Sequence, residues 1–232
     1  MQTEIIAAVR GASKVYKVGD QTITALCRTD LELRSGELLL IIGPSGSGKT
    51  TLLSLLGCVI YPTEGEVWVK GQNVTLLKER DLARVRLEHI GFVFQQFNLL
   101  APLNAEENVL MPLRLLGTPP AEARKRVQAA LELVKMFDRR RNLPRQLSGG
   151  QQQRIAIARA LVTQPSLVLC DEPTASLDGA SVDVVMRELR TLAESGKAVA
   201  VVTHDMRLRP FAHKIVYVDN GEVLDHEPAG SH

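Results

Sequence analysis

The amino-acid sequence predicts an α/β fold built on a mostly parallel sheet with helices on both faces, and three observations carry that expectation. Wholly apolar runs of strand length recur at Leu38–Ile42, Leu167–Cys170 and Ala198–Val202, as expected of strands buried on both faces. Stretches of helical character separate them: one opening at Thr51–Leu56, one from Ser148-Gly149-Gly150 to about Val162, and Ser181–Ser195. Regular alternation of buried strand and helix is the pattern of a parallel sheet. Finally, a glycine-rich loop, Gly43–Thr51, joins the first apolar strand to the first helix.

Taken in order, the chain opens with segments alternating enough for short strands at Glu4–Val9, Gln21–Cys27 and Asp30–Leu33. Ser35-Gly36 turns the chain into the strand that precedes the loop. After the first helix, Pro62-Thr63-Glu64-Gly65 makes a turn into Glu66–Lys70, an alternating half-buried strand closed by Gly71. Leu76–Glu88 is charged and periodic, a helix, and Ile90–Phe94 is a strand. Between Gln95 and Arg145 the character changes to helices and loops. There Ala121–Phe137 is an amphipathic helix with Val127, Leu131, Val134 and Phe137 on one face. A last strand pair lies at Ile215–Val218 and Glu222–Leu224, turned by Gly221.

Bulk properties exclude several classes. With 232 residues, 45% hydrophobic and 23% charged, the chain is an ordinary globular protein able to bury a sizeable core. A net charge of +2 is too mild for nucleic acid to be the main partner, and Arg124-Lys125-Arg126 and Arg139-Arg140-Arg141 read as solvated faces. Met1-Gln2-Thr3-Glu4 lacks the features of a signal peptide. Apolar stretches such as Leu52–Tyr61 are about half the length that spans a bilayer. Cys27, Cys58 and Cys170 are odd in number and lack metal spacing, so the expectation is a soluble protein of the reducing cytosol.

The loop carries the first chemistry. Gly43-Pro44-Ser45-Gly46-Ser47-Gly48-Lys49-Thr50-Thr51 fits G-x-x-x-x-G-K-[ST], a spacing met by chance in about one chain of this length in a hundred. Glycines let backbone N–H groups curl into an anion nest, and the following helix N-terminus adds its positive end. Lys49 would reach the terminal phosphates of a nucleoside triphosphate, and the Thr50 hydroxyl would ligate Mg²⁺. A second constellation, Leu147-Ser148-Gly149-Gly150-Gln151, opens a helix with a serine cap.

With both motifs in one chain, and in this order, the sequence resembles the nucleotide-binding subunits of ATP-binding cassette (ABC) transporters over essentially its whole length. The resemblance implies a P-loop NTPase (RecA-like) core with an N-terminal antiparallel β subdomain and an inserted helical subdomain. It assigns 1–95 and 160–232 to the core and about 96–159 to the insertion. It also implies that Ser148, Gly149, Gly150 and Gln151 form a signature that binds ATP in trans, on the loop of a second copy. Asp171 and Glu172, closing the strand Leu167–Cys170, match the acids that order Mg²⁺ and polarise the attacking water. Gln95 matches a glutamine that senses Mg²⁺ and water, and His204 a histidine that contacts the γ-phosphate. Asp178, in Ser176-Leu177-Asp178, matches a segment that crosses the dimer interface. Tyr16 matches an aromatic that stacks on adenine, supported by Val18.

A narrower resemblance rests on Gly71-Gln72-Asn73-Val74, Leu82–Arg86, Ile90–Leu100, Glu107-Asn108-Val109 and Met111-Pro112. These segments are similar to macrolide-exporter and lipoprotein-release ATPases, which serve FtsX-like permeases and often a periplasmic adaptor. Ala101 and Asn104 depart from that pattern, where proline and threonine are usual. The implied protein is an ATPase with ATP and Mg²⁺ as cofactors, a homodimer peripheral on the cytoplasmic face of the inner membrane, driving export or extraction. An ABC ATPase driving a mechanotransmission complex is the alternative. Chromosome-maintenance ABC ATPases separate the two motifs by long coiled coils, whereas about a hundred residues without heptads separate them here.

Overall fold

The computed structural model describes residues 3–175, 177 and 179–228. The chain opens with a long hairpin, β1 (Ile5–Val18) and β2 (Gln21–Arg34), where the sequence predicts three shorter strands. Register shifts between Val9, Ala12, Lys14 and Val15 absorb the places where the alternation fails. At one of them Gly11 takes φ 53, and its N–H donates to Asp30 Oδ1 at 2.8 Å. Next come β3 (Leu38–Ile42) and α1 (Lys49–Leu56), then β4 (Glu64–Val69) and β5 (Gln72–Asn73). Strands β2, β1, β4 and β5, in that order, form an antiparallel sheet.

The remaining elements are α2 (Glu79–His89), β6 (Ile90–Val93), α3 (Ala105–Leu115), α4 (Pro120–Leu133), α5 (Gly149–Leu161), β7 (Leu167–Asp171), α6 (Gly179–Glu194), β8 (Ala198–Thr203), β9 (Lys214–Asp219) and β10 (Glu222–Leu224). A six-stranded sheet runs β10-β9-β3-β8-β7-β6, parallel throughout except for the β9–β10 hairpin. The expected parallel sheet is therefore present.

Two helices depart from the sequence reading. Helix α3 falls in a stretch read only as helices and loops, because Pro112 interrupts its pattern. Its start is nonetheless fixed by a reciprocal cap: Glu107 N–H donates to Asn104 Oδ1 at 2.9 Å, and Asn104 N–H donates to Glu107 Oε2 at 2.8 Å. Helix α4 stops at Leu133 instead of Phe137 because Lys135 turns left-handed at φ 56 and Met136 N–H returns to the Leu131 carbonyl.

Alternate residues of the central strands divide the core in two. Leu38, Leu40 and Ile42 of β3, with Val168, Cys170, Val199 and Val201, face the side covered by α3 to α6. Leu39 and Ile41, with Leu167, Leu169, Ala198, Ala200 and Val202, face α1 and the antiparallel sheet. The period of two thus explains why these strands carry no polar residue until their last position. Among the described residues, no helix is long and apolar enough to cross a membrane.

Leu169 is fully buried between those layers, whereas Leu76 is 92% exposed. Leu169→Ala is expected to cost about 2–5 kcal/mol, and Leu76→Ala less than about 0.5 kcal/mol. Denaturant titration of both variants checks the contrast.

Candidate active site

Because β3, β6, β7 and β8 are parallel, all end at one edge of the sheet. The registers Ile42–Thr203, Asp171–Val202 and Val93–Cys170 align those ends. Each strand delivers a predicted residue there: β3 the glycine loop, β6 Gln95, β7 Asp171 and Glu172, and β8 His204.

The loop is shaped by close approach. At Gly43 a Cβ would stand 2.1 Å from the Val218 carbonyl oxygen, and at Gly48 (φ 110) 2.4 Å from that of Ala25, so neither position has room for a side chain. Gly48 opens α1 without any side-chain cap, and no acid lies in the first helical turn. The first backbone N–H groups, on Lys49, Thr50 and Thr51, therefore lack intrahelical partners. Ser47 Oγ is likewise buried without a hydrogen bond. This is a concentration of donors suited to an anion.

Lys49 is buried, and its Nζ donates to the carbonyls of Gly43 and Pro44, both at 2.7 Å. Burial lowers its pKa, while Glu172 and Asp171 pull the other way. Burial and the neighbouring Glu172 raise the Asp171 pKa, against the opposing pull of Lys49 and a hydrogen bond with Thr50. One lysine thus faces two carboxylates, and the Thr50 hydroxyl holds that of Asp171. Such an acid-rich set of hard oxygen donors fits a small divalent cation such as Mg²⁺.

Glu172 is held on every side. Its backbone is left-handed at φ 46, a conformation that non-glycine residues keep only where surroundings impose it. Glu172 N–H donates to the Val202 carbonyl at 3.0 Å. The Thr203 hydroxyl donates to Oε2 at 3.2 Å, and His204 Nδ1 lies 2.7 Å from Oε1. The glutamate side chain is only 14% exposed, whereas the histidine is 66% exposed and reaches outward.

The other predicted residues sit on other elements. Ser148, Gly149, Gly150 and Gln151 open α5. There Gln151 N–H donates to Ser148 Oγ at 3.3 Å and Ser148 N–H to Gln151 Oε1 at 3.0 Å. Ser148, Gly150 and Gln151 line a separate cavity of about 160 Å³ with Arg154 and Leu177. Tyr16 and Val18 end β1, 39% and 61% exposed, and Lys14 Nζ sits 5.1 Å from the Tyr16 ring centroid. Gln95 is exposed just beyond β6. Ser176 and Asp178 lie outside the described residues.

Two neighbours were missed from sequence. Thr203 is a fully buried hydroxyl ending an otherwise apolar strand, a pattern that could have flagged it. Arg154, three residues past Gln151, carries no motif signal of its own. A further groove of about 520 Å³ separates α2 from α3; Val59, Phe92, Phe94, Pro112 and Leu115 line it.

With this geometry established, comparison with known proteins identifies the family. The ABC transporter family profile matches residues 26–175. The uncharacterized ABC transporter ATP-binding protein MJ0796 of Methanocaldococcus jannaschii is 44% identical over 220 residues, covering 93% of this chain and 94% of that protein. Its solved dimer in a post-hydrolysis state, bound to ADP and Pi, superposes with a TM-score of 0.88 at 41% identity, covering 98% of this chain and all of that one. The macrolide export ATP-binding/permease protein MacB 2 of Aeromonas hydrophila is 42% identical over 223 residues, 96% of this chain but 34% of that longer protein. The chain belongs to the ABC transporter family and is an ABC-type ATPase.

Proposed function

We propose that this chain is the ATP-hydrolysing subunit of a membrane exporter or extractor, working as a homodimer on the cytoplasmic face of the membrane with an FtsX/MacB-like permease. The observation that carries the reading is the division of the chemistry. Lys49, Asp171, Glu172, Thr203 and His204 converge on the sheet edge, while the Ser148 end of α5 opens into a cavity of its own. Each chain then supplies two half-sites, and a second copy completes both. The dimeric MJ0796 structure and the export protein MacB 2 support that reading by similarity.

In this mechanism the triphosphate lies over the free N–H groups of α1, and Lys49 exchanges the Gly43 and Pro44 carbonyls for phosphate oxygens. Tyr16 stacks on the adenine, beside Val18. Thr50 and Asp171, with Gln95, would hold Mg²⁺, which would supply positive charge to offset that of the triphosphate. Glu172 accepts a proton from the water that attacks the γ-phosphorus. The bond to the β–γ bridging oxygen breaks, leaving ADP and inorganic phosphate. Thr203 and His204 hold the two Glu172 oxygens so that the carboxylate keeps one orientation. From the partner, Ser148 and Gly150 meet the γ-phosphate at the N-terminus of α5. Residues 96–159 act as the helical insertion on the 1–95 and 160–232 core. The groove between α2 and α3 is the natural seat for a permease segment, since apolar side chains line it and Leu115 is 67% exposed.

Glu172→Gln is expected to lower ATP turnover by about 10²- to 10⁴-fold and to leave an ATP-trapped dimer, read by steady-state phosphate release and size-exclusion chromatography. Near-normal turnover would remove Glu172 from its role.

Ser148→Arg and Lys49→Ala should each abolish hydrolysis as homodimers. Mixed in equal amounts, they form a dimer with both defects in one site and the other site intact, so activity returns. A mixture no more active than the separate variants would overturn the model in which sites are shared and one suffices.

A further inference from the structure

Arg159 lies in the last turn of α5, far along that helix from Ser148, and has no part in the chemistry above. Its guanidinium reaches across to the segment that leaves β6: Nη1 donates to the Asn98 carbonyl at 2.6 Å and Nη2 to that of Phe97 at 2.7 Å. Both acceptors belong to left-handed, non-glycine residues, Phe97 at φ 57 and Asn98 at φ 48. Such a pair persists only where something outside the segment holds it. Burial alone pushes the Arg159 pKa down, with no carboxylate offsetting it. A cation held, among the described residues, by carbonyls alone is a poor device for stability, since an apolar side chain of similar size would avoid the desolvation cost.

The contact gains meaning from what lies beside it. Helix α5 also rests directly on β6, where a Cβ at Gly91 would stand 2.4 Å from the Ala160 carbonyl oxygen. Gln95 sits between these two attachments, Gly91 before it and Phe97-Asn98 after it. Its turn is closed by Phe97 N–H to the Phe94 carbonyl at 3.1 Å and by Asn98 N–H to the Gln96 carbonyl at 2.5 Å. Asn98 and Arg159 both belong to the wall of the groove between α2 and α3.

We infer that Arg159 is a positioning residue that clamps the Phe94–Asn98 turn to α5, so that Gln95 and the Ser148 end of the helix move as one body. Gln95 is then presented to its own nucleotide site only when α5 is oriented to meet the partner's nucleotide. A partner seated in the groove would press on the same clamp. The inference rests on the role proposed above for Gln95, and a double-mutant cycle separates the two.

Arg159→Met is expected to lower kcat for ATP hydrolysis by about ten- to a hundredfold, the scale of a misplaced catalytic group, with KM for ATP changed by less than about twofold. Gln95→Ala lowers kcat as well. In the Gln95→Ala background Arg159→Met then costs no more than about a further twofold, because its route is already cut. An equal loss in both backgrounds would overturn the clamp and leave Gln95 in place. A raised KM at unchanged kcat would do the same. Wild-type kcat in Gln95→Ala would overturn both. Should Arg159→Met fail to fold, Arg159→Lys keeps the charge and most of the stem while losing the fork that spans two carbonyls, and the same cycle applies.

Discussion

Parallel pairing of β3 with β8, β8 with β7 and β7 with β6 is the constraint on which the site depends. Antiparallel neighbours would scatter the same residues between two edges. In this sheet four strands end together, and the chain needs no long excursion to gather Lys49, Asp171, Glu172 and His204. The price is that both faces of these strands must be covered, which requires near-continuous apolar sequence and a layer on each side. The two core clusters meet that requirement, with helices α3 to α6 on one side and α1 with the antiparallel sheet on the other. Polar side chains enter only at the final strand position or beyond, where the layers end. Asp171 and Thr203 are those last residues.

Electrostatics at that edge explain why the arrangement is poised for a ligand. Burial works against the charge on Lys49 and Asp171, while Glu172 and Asp171 pull the Lys49 pKa up and Lys49 pulls that of Asp171 down. Among the described residues, Lys49 Nζ donates hydrogen bonds only to the carbonyls of its own loop. A triphosphate offers it a better partner, and a cation offers the carboxylates one. The two helix N-termini differ in the same sense. Helix α1 has no side-chain cap, whereas Ser148 and Gln151 cap α5 reciprocally. The proposed trans contact therefore displaces or supplements a cap, while the cis contact fills donors that have no partner.

Much of this was legible in the sequence, for identifiable reasons. Leu38–Ile42 and Glu222–Leu224 match their strands residue for residue, because strand, turn and burial agree there. The glycine loop is legible because its spacing is set by phosphate geometry, which the chain cannot vary freely, whereas the two acids after Leu167–Cys170 take their roles only from the family resemblance. The β1–β2 hairpin was read as three pieces, since the bulges around Gly11 break the alternation without breaking the pairing. Helix α3 was hidden by Pro112, which prediction treats as a breaker although flanking packing holds it inside the helix. Thr203 shows in the sequence only as a hydroxyl ending an apolar strand, which marks the position but not its partner; the fold turns it toward Glu172.

Arg159 was least legible of all, and the reason bears on how such a machine is coupled. Its partners are backbone carbonyls, which leave no trace in residue identity, and the segment they belong to is 61 and 62 residues distant in the chain. Carbonyl acceptors suit a coupling element. A side-chain ion pair tolerates shifts because both partners have flexible stems, whereas a guanidinium fork on two successive carbonyls fixes the backbone itself. The turn so fixed carries Gln95 and borders the groove between α2 and α3. In the proposed mechanism, tying that turn to α5 links three events, the arrival of a second copy, the placement of Gln95 and the occupancy of the groove, through one helix about 20 Å long.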